Sequence, residues 1–224
     1  MRIAEIFYSV QGEGTLAGVP SIFIRTSGCN LRCSWCDTPY ASWNPEGEDW
    51  SIEAIVGETE RYVAARHVVL TGGEPMIAPG IVELSERFRE RGMHITIETA
   101  GTVVVPVACD LMSVSPKLSN STPDGAFRMQ HERLRLQHDV LKRLTSEYEY
   151  QLKFVIARRE DLEEAQAVIL ALNAPPARVI LMPEGTSADV IDERGVWIAE
   201  LCKEYGYRFG PRLHVHLYGN RRGT

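Results

Sequence analysis

A chain of 224 residues, 44% hydrophobic and 24% charged, can bury a full core and has the make-up of a soluble globular protein rather than a disordered or fibrous one. Its formal net charge of −6 is carried by interspersed acids and bases, so no basic stripe offers itself to a phosphate backbone, and nucleic acid is not the expected ligand. Met1 to Tyr8 lacks the charged head and apolar run of a signal peptide, and no apolar stretch is long enough to cross a bilayer; the expectation is one cytoplasmic domain, residues 1–224, without a membrane partner.

Along the chain, β-rich runs alternate with segments of helical periodicity, the pattern of a parallel sheet with crossover helices. Arg2 to Ser9 reads as a flanking strand and Ser21 to Thr26 as the first strand of the repeat. A loop with two tryptophans follows over Tyr40 to Trp50. Ser51 then caps a helix presenting Ile52, Ile55, Val56, Thr59, Tyr62 and Val63 on one face. His67 to Leu70 is a strand; Ile81, Leu84, Ser85 and Phe88 mark the next helix, stopped by Gly92. Strands at His94 to Glu98 and Leu111 to Val114 precede a polar loop at Ser119 to Gln130. Helices are expected at Glu132 to Ser146, Asp161 to Leu172 and Asp189 to Tyr205, strands at Tyr150 to Ile156 and Arg178 to Met182, and a last flanking strand at Arg212 to Leu217.

Five cysteines, three of them within eight positions, are not a disulfide framework. Cys29, Cys33 and Cys36 follow a strand directly and are spaced by three and two residues, so they can reach three corners of one 4Fe-4S cubane and leave the fourth iron open. Such an iron can chelate the amino and carboxylate groups of S-adenosylmethionine and pass an electron to its sulfonium. Other readings are a Cys3His zinc site, a Cys33/Cys36 redox pair, or buried thiols. The zinc site needs a fourth ligand, and the nearest histidine in sequence is His67; the redox pair leaves Cys29 unexplained. Cys109 and Cys202, inside apolar runs, read as small buried hydrophobes.

The spacing with Trp35 before the last cysteine resembles the signature of the radical S-adenosylmethionine superfamily. So does Thr71-Gly72-Gly73-Glu74-Pro75, where two glycines admit close approach of a ligand to the backbone. Polar loops recur at the carboxyl ends of the expected strands: Cys29 to Thr38, Thr71 to Pro75, Glu98 to Gly101, Ser115 to Lys117 and Met182 to Gly185. Glu98 and Lys117 stand evenly between structural and functional roles. Lys153, a charge inside an apolar strand, should face a polar cavity or a partner, unless it lies exposed at a sheet edge.

Three further features narrow the choice. In Val10-Gln11-Gly12-Glu13-Gly14, Gln11 and Glu13 offer donors and acceptors to a heterocycle edge. Arg25 carries a fork suited to a carboxylate, and Thr38 places a hydroxyl beside the cysteines. With the two superfamily motifs, this pattern resembles the 7-carboxy-7-deazaguanine synthase family, most specifically over Phe7 to Gly14 and Cys29 to Thr38. The resemblance implies a radical SAM α/β fold, a partial (β/α)6 TIM-like barrel with flanking strands. It implies conversion of 6-carboxy-5,6,7,8-tetrahydropterin to 7-carboxy-7-deazaguanine with loss of ammonia, on the route to queuosine and tRNA modification.

Carried over by position, Val10, Gln11, Gly12, Glu13, Arg25 and Thr71 become substrate contacts, joined by His214, with His216 as its alternative. Trp35, Cys36, Asp37, Gly73, Glu74, Ser115, Pro116 and Lys117 become S-adenosylmethionine contacts, with Met182 to Gly185 as weaker ones. Thr38 becomes the ligand to Mg2+. The expected partners are the pterin, an electron donor such as flavodoxin or ferredoxin, and a second copy in a homodimer. The rivals are an activase acting on a glycine of a partner protein and a zinc-binding or redox-sensing module.

Overall fold

A computed structural model describes all 224 residues. Strand β1 (Arg2–Val10) runs antiparallel to β2 (Pro20–Thr26), and the chain then passes through the cysteine loop into the four-residue helix α1 (Pro39–Ser42) and the short β3 (Glu48–Asp49). Next come α2 (Ile52–Thr59), β4 (His67–Gly72), α3 (Ile81–Glu90), β5 (His94–Thr99), β6 (Leu111–Val114), α4 (Arg128–Leu134), α5 (His138–Glu147), β7 (Tyr150–Ile156), α6 (Asp161–Ala171), β8 (Val179–Pro183), α7 (Ala188–Tyr205), β9 (Arg208–Phe209) and α8 (Leu213–Tyr218). The sheet has nine strands in the order β3-β1-β2-β4-β5-β6-β7-β8-β9, and it does not close. From β2 to β9 every pairing is parallel. This is the expected partial barrel: six parallel strands in chain order, flanked by β1 and β3 on one side and β9 on the other.

One continuous core joins the sheet to its helices, with Leu70, Ile97, Met112 and Leu152 meeting Leu84, Phe88, Leu144 and Ile198. Ser51 caps α2 as its sequence requires, its hydroxyl accepting from Ala54 N at 3.1 Å. The helix is shorter than its apolar face suggested, because it ends at Thr59; Val63 lies beyond it, exposed, and Tyr62 stacks on Tyr8. The helix expected over Glu132 to Ser146 is two helices. Arg135 marks the break, with its guanidinium drawn to the Lys117 carbonyl and to Glu164. The polar segment Ser119 to Gln130 holds two 3-10 turns and gives its last residues to α4. Cys202 is buried, and Cys109 is half-buried against the same core.

The C-terminal segment corrects the reading. Residues 213–218 form a helix, not a strand, whose first turn closes when the Arg212 carbonyl accepts from Val215 N at 3.0 Å. Residues two apart on a helix face roughly 200° apart, so His214 and His216 cannot share a face. His214 turns to the site described below, whereas His216 turns outward, 2.9 Å from Asp192.

Candidate active site

The carboxyl ends of the parallel strands surround a cavity of about 700 Å³. That is room for a cofactor and a small substrate side by side.

One wall is the cysteine loop. Cys29, Cys33 and Cys36 all line the cavity, packed around Leu31 and Ala100. The loop is pinned by backbone bonds that its polar neighbours complete: Gly28 N to Ala41 O at 2.8 Å, Ser34 N to Ser121 O at 2.8 Å, and Arg32 N to His131 Nδ1 at 3.1 Å. His131 accepts there, so its Nε2–H donates to Ser121 Oγ at 2.9 Å, and the ring is held neutral in one tautomer. The Gly-Gly pair packs against the same loop. A Cβ at Gly73 would stand 2.1 Å from the Gly28 carbonyl oxygen and 2.5 Å from that of Ala41, and neither backbone atom can move aside.

Burial pushes the Cys29 thiol up to about 11 and Cys33 to about 12, and it raises Cys36 as well. Thiols so placed ionise only when an electropositive centre takes the charge. No three His, Cys, Asp or Glu side chains converge tightly enough to hold a single ion. A cubane bonds each thiolate to a different iron and takes three cysteines of one loop, whereas a structural zinc site needs a fourth protein ligand.

Beside the cysteines, Lys117 Nζ donates to Ser115 Oγ at 2.8 Å and sits 5.7 Å from the Trp35 ring, while Trp35 Nε1 donates to Asn120 Oδ1 at 3.2 Å. Trp35, Asp37, Gly73, Ser115 and Lys117 line the cavity; so do Met182 and Glu184. Pro183 and Gly185 do not, and neither do two residues of the main cofactor set, Glu74 and Pro116. Glu74 is wholly buried and its carboxylate is engaged by Thr99 Oγ1 at 2.7 Å, Ala100 N at 2.8 Å and Met76 N at 3.1 Å. It ties the loop after β4 to the loop after β5 and offers the cavity no side-chain atom. Pro116 is buried off the cavity between its two lining neighbours.

The residues expected to meet substrate line the same cavity. Val10, Gln11, Gly12, Glu13, Arg25, Thr71 and His214 all reach the cavity. Gln11 Nε2 donates to Glu98 Oε1 at 3.2 Å, and Thr71 Oγ1 donates to Glu98 Oε2 at 2.9 Å, so Glu98 is drawn into the site. Lys153 is buried and faces this polar cavity, not a sheet edge: its ammonium lies 2.6 Å from Glu13 and 3.7 Å from Glu98. Burial would raise the Glu13 carboxyl, but Lys153 and Arg212 beside it hold it well below the usual range. Gly12 lets His214 in, since a Cβ there would fall 1.9 Å from His214 Nδ1.

Arg25 is oriented by Glu5, its neighbour across the β1–β2 pair: Nε donates to Glu5 Oε1 at 2.6 Å. Tyr40 donates to the same oxygen at 2.6 Å. The two terminal nitrogens of Arg25 make no hydrogen bond within the chain, which leaves a free fork for a carboxylate. Thr38 lines the cavity, and its Oγ1 donates to Asp37 Oδ1 at 2.9 Å. Sequence reasoning missed Glu5, Tyr40 and Arg212. Glu5 carried the signal already used for Lys153, a charge inside an apolar strand.

Residues 23–120 match the radical SAM superfamily. Three thiols and a Gly-Gly loop at the carboxyl rim of an open parallel sheet define a radical SAM enzyme, whose cofactors are S-adenosylmethionine and a 4Fe-4S cluster. The chain is 46% identical to the 7-carboxy-7-deazaguanine synthase of Rhodopirellula baltica, over 100% of this chain and 89% of that one, and 44% identical to that of Halobacterium salinarum, over 100% and 93%. It belongs to the 7-carboxy-7-deazaguanine synthase family. The crystal structure of QueE from Escherichia coli superimposes with a TM-score of 0.71 at 26% identity, covering 95% of this chain and 94% of that one. Streptococcus suis SuiB bound to its precursor peptide SuiA shares the fold alone, at 13% identity and a TM-score of 0.56, covering 84% of this chain and 47% of that one. These likenesses support the lyase reading and not the glycyl activase.

Proposed function

We propose that this chain converts 6-carboxy-5,6,7,8-tetrahydropterin to 7-carboxy-7-deazaguanine and ammonia. The observation that carries the reading is that the three cysteines and the Gln11–Glu98–Arg25 group line one and the same cavity. The reaction is redox-neutral, the substrate less one ammonia being the product. When bound, the cluster and S-adenosylmethionine together supply a 5'-deoxyadenosyl radical, with the electron coming from a donor such as flavodoxin or ferredoxin.

The residues do the rest by position. Arg25 grips the substrate carboxylate with its free fork, and Gln11, Thr71 and Glu98 meet the polar edge of the pterin. His214 closes the face over Gly12. Thr38 would hold Mg2+ together with that carboxylate and water, a hard oxygen set suited to the ion, which would supply charge stabilisation and a fixed carboxylate for the ring contraction. Trp35, Asp37, Gly73, Ser115 and Lys117 bound the space for S-adenosylmethionine. We extend the family's homodimer and its queuosine route to this chain on the same resemblance.

The test is anaerobic turnover of reconstituted protein with reductant, S-adenosylmethionine, Mg2+ and the carboxytetrahydropterin, followed by mass spectrometry. The expected product is lighter than substrate by one ammonia and forms faster with Mg2+ than without. Formation of 5'-deoxyadenosine with no such product would overturn the assignment.

A further inference from the structure

The residue that ties the two walls together is neither a cysteine nor one of the expected substrate contacts. Arg212 is buried, and its guanidinium lies on the cavity with each nitrogen on a different loop. Nε donates to Glu13 Oε1 at 3.2 Å, in the loop after β1. One terminal nitrogen donates to the Gly185 carbonyl, in the loop after β8, and the other to Asp37 Oδ2, in the cysteine loop next to Thr38. A fourth tie comes from the adjoining backbone, where Leu213 N donates to Gly12 O at 2.9 Å.

From this geometry we infer that Arg212 is a positioning residue that holds the substrate loop in register with the cysteine loop, so that cofactor cleavage is coupled to product formation. The inference rests on the functional reading above and adds a residue that reading does not use. Two carboxylates from different loops, the largely covered Glu13 and the more open Asp37, are paired by the single buried fork of Arg212. The planar guanidinium can serve three acceptors at fixed angles, which an ammonium cannot do. Without it, each loop keeps its own internal bonds, Gln11 Oε1 to Glu13 N at 3.1 Å and Thr38 Oγ1 to Asp37 Oδ1 at 2.9 Å, but the distance between the loops is no longer set.

Arg212→Gln and Arg212→Lys test this with two readouts. The first is the ratio of 5'-deoxyadenosine released to product formed. The second is amide hydrogen exchange in peptides covering Gly12 to Leu16 and Thr38 to Tyr40, measured without substrate. Arg212→Gln should carry the wild-type content of iron and sulfide, waste severalfold more cofactor per product, and exchange faster in both peptides at once. Arg212→Lys should behave the same way, since it restores charge but not the three-way fork. A wild-type ratio, faster exchange in only one loop, or full rescue by lysine would overturn the inference. If Arg212→Gln does not hold its cluster, Arg212→Lys decides by the same readouts. A wild-type enzyme that makes no product would sink the functional reading, and the exchange measurement would then judge the clasp alone.

Discussion

Glu5 lines the cavity behind Arg25, and replacing it with glutamine should damage substrate binding. Its carboxylate accepts from Arg25 Nε and from the Tyr40 hydroxyl, both at 2.6 Å, and the Glu5 and Arg25 side chains are only 11% and 18% exposed. Glu5→Gln keeps the size but removes the charge and presents an amide that competes as a donor. A hydrogen bond to a charged partner contributes about 1.5–3 kcal/mol. If the Arg25 fork loses its aim, the substrate carboxylate loses an interaction of the same order, and kcat/KM should fall by about 10- to 150-fold. Because the carboxylate contact is made before and during the reaction, most of the loss should appear in KM. The assay is anaerobic steady-state turnover across substrate concentration, with iron and sulfide content confirming that the cluster is intact. An unchanged kcat/KM with a full cluster would refute the reasoning.

Gly12→Ala should push His214 off the cavity, since the new methyl would stand 1.9 Å from Nδ1; activity should fall while cluster content holds, and a crystal structure should show the displaced ring. Lys153→Met leaves Glu13 and Glu98 facing each other with their shared cation gone. Breaking one side of a buried pair costs about 3–5 kcal/mol, or about 6–20 °C in Tm for a chain of this size, read by thermal denaturation of the cluster-free protein. The pH dependence of that protein follows from its histidines. Burial lowers His67, His131 and His214 below the ordinary range, so as pH drops below about 6.5 the unfolded chain takes up protons that the folded one refuses. Stability is complete above that pH and should fall steadily below it in urea titrations, against the smaller opposite pull of surface His216, which Asp192 raises.

The parts of this protein that were readable in its sequence are those set by near neighbours. Runs such as Val68-Val69-Leu70 and Phe154-Val155-Ile156 are buried on both faces of the sheet and announce themselves as strands. The cysteine loop is compact enough that spacing alone places its thiols on one wall. Helix α8 was not readable, because its six residues are too few to nucleate alone and are set by tertiary ties, the Leu213 bond to Gly12 among them. Arg212 and Glu13, 199 residues apart, meet only once the sheet is assembled. Glu74 shows the converse: a motif residue whose side chain braces two loops behind the cavity and does not line it.

The central claim is that a radical generated at the cysteine wall takes hydrogen from a substrate held on the Arg25 wall. The direct measurement uses carboxytetrahydropterin deuterated at the carbon bearing the carboxylate, with mass analysis of the nucleoside and the recovered S-adenosylmethionine. Deuterium should appear at the 5' position of the adenosyl group and track with formation of the ring-contracted product. Product formed with no label in the adenosyl group would contradict the account.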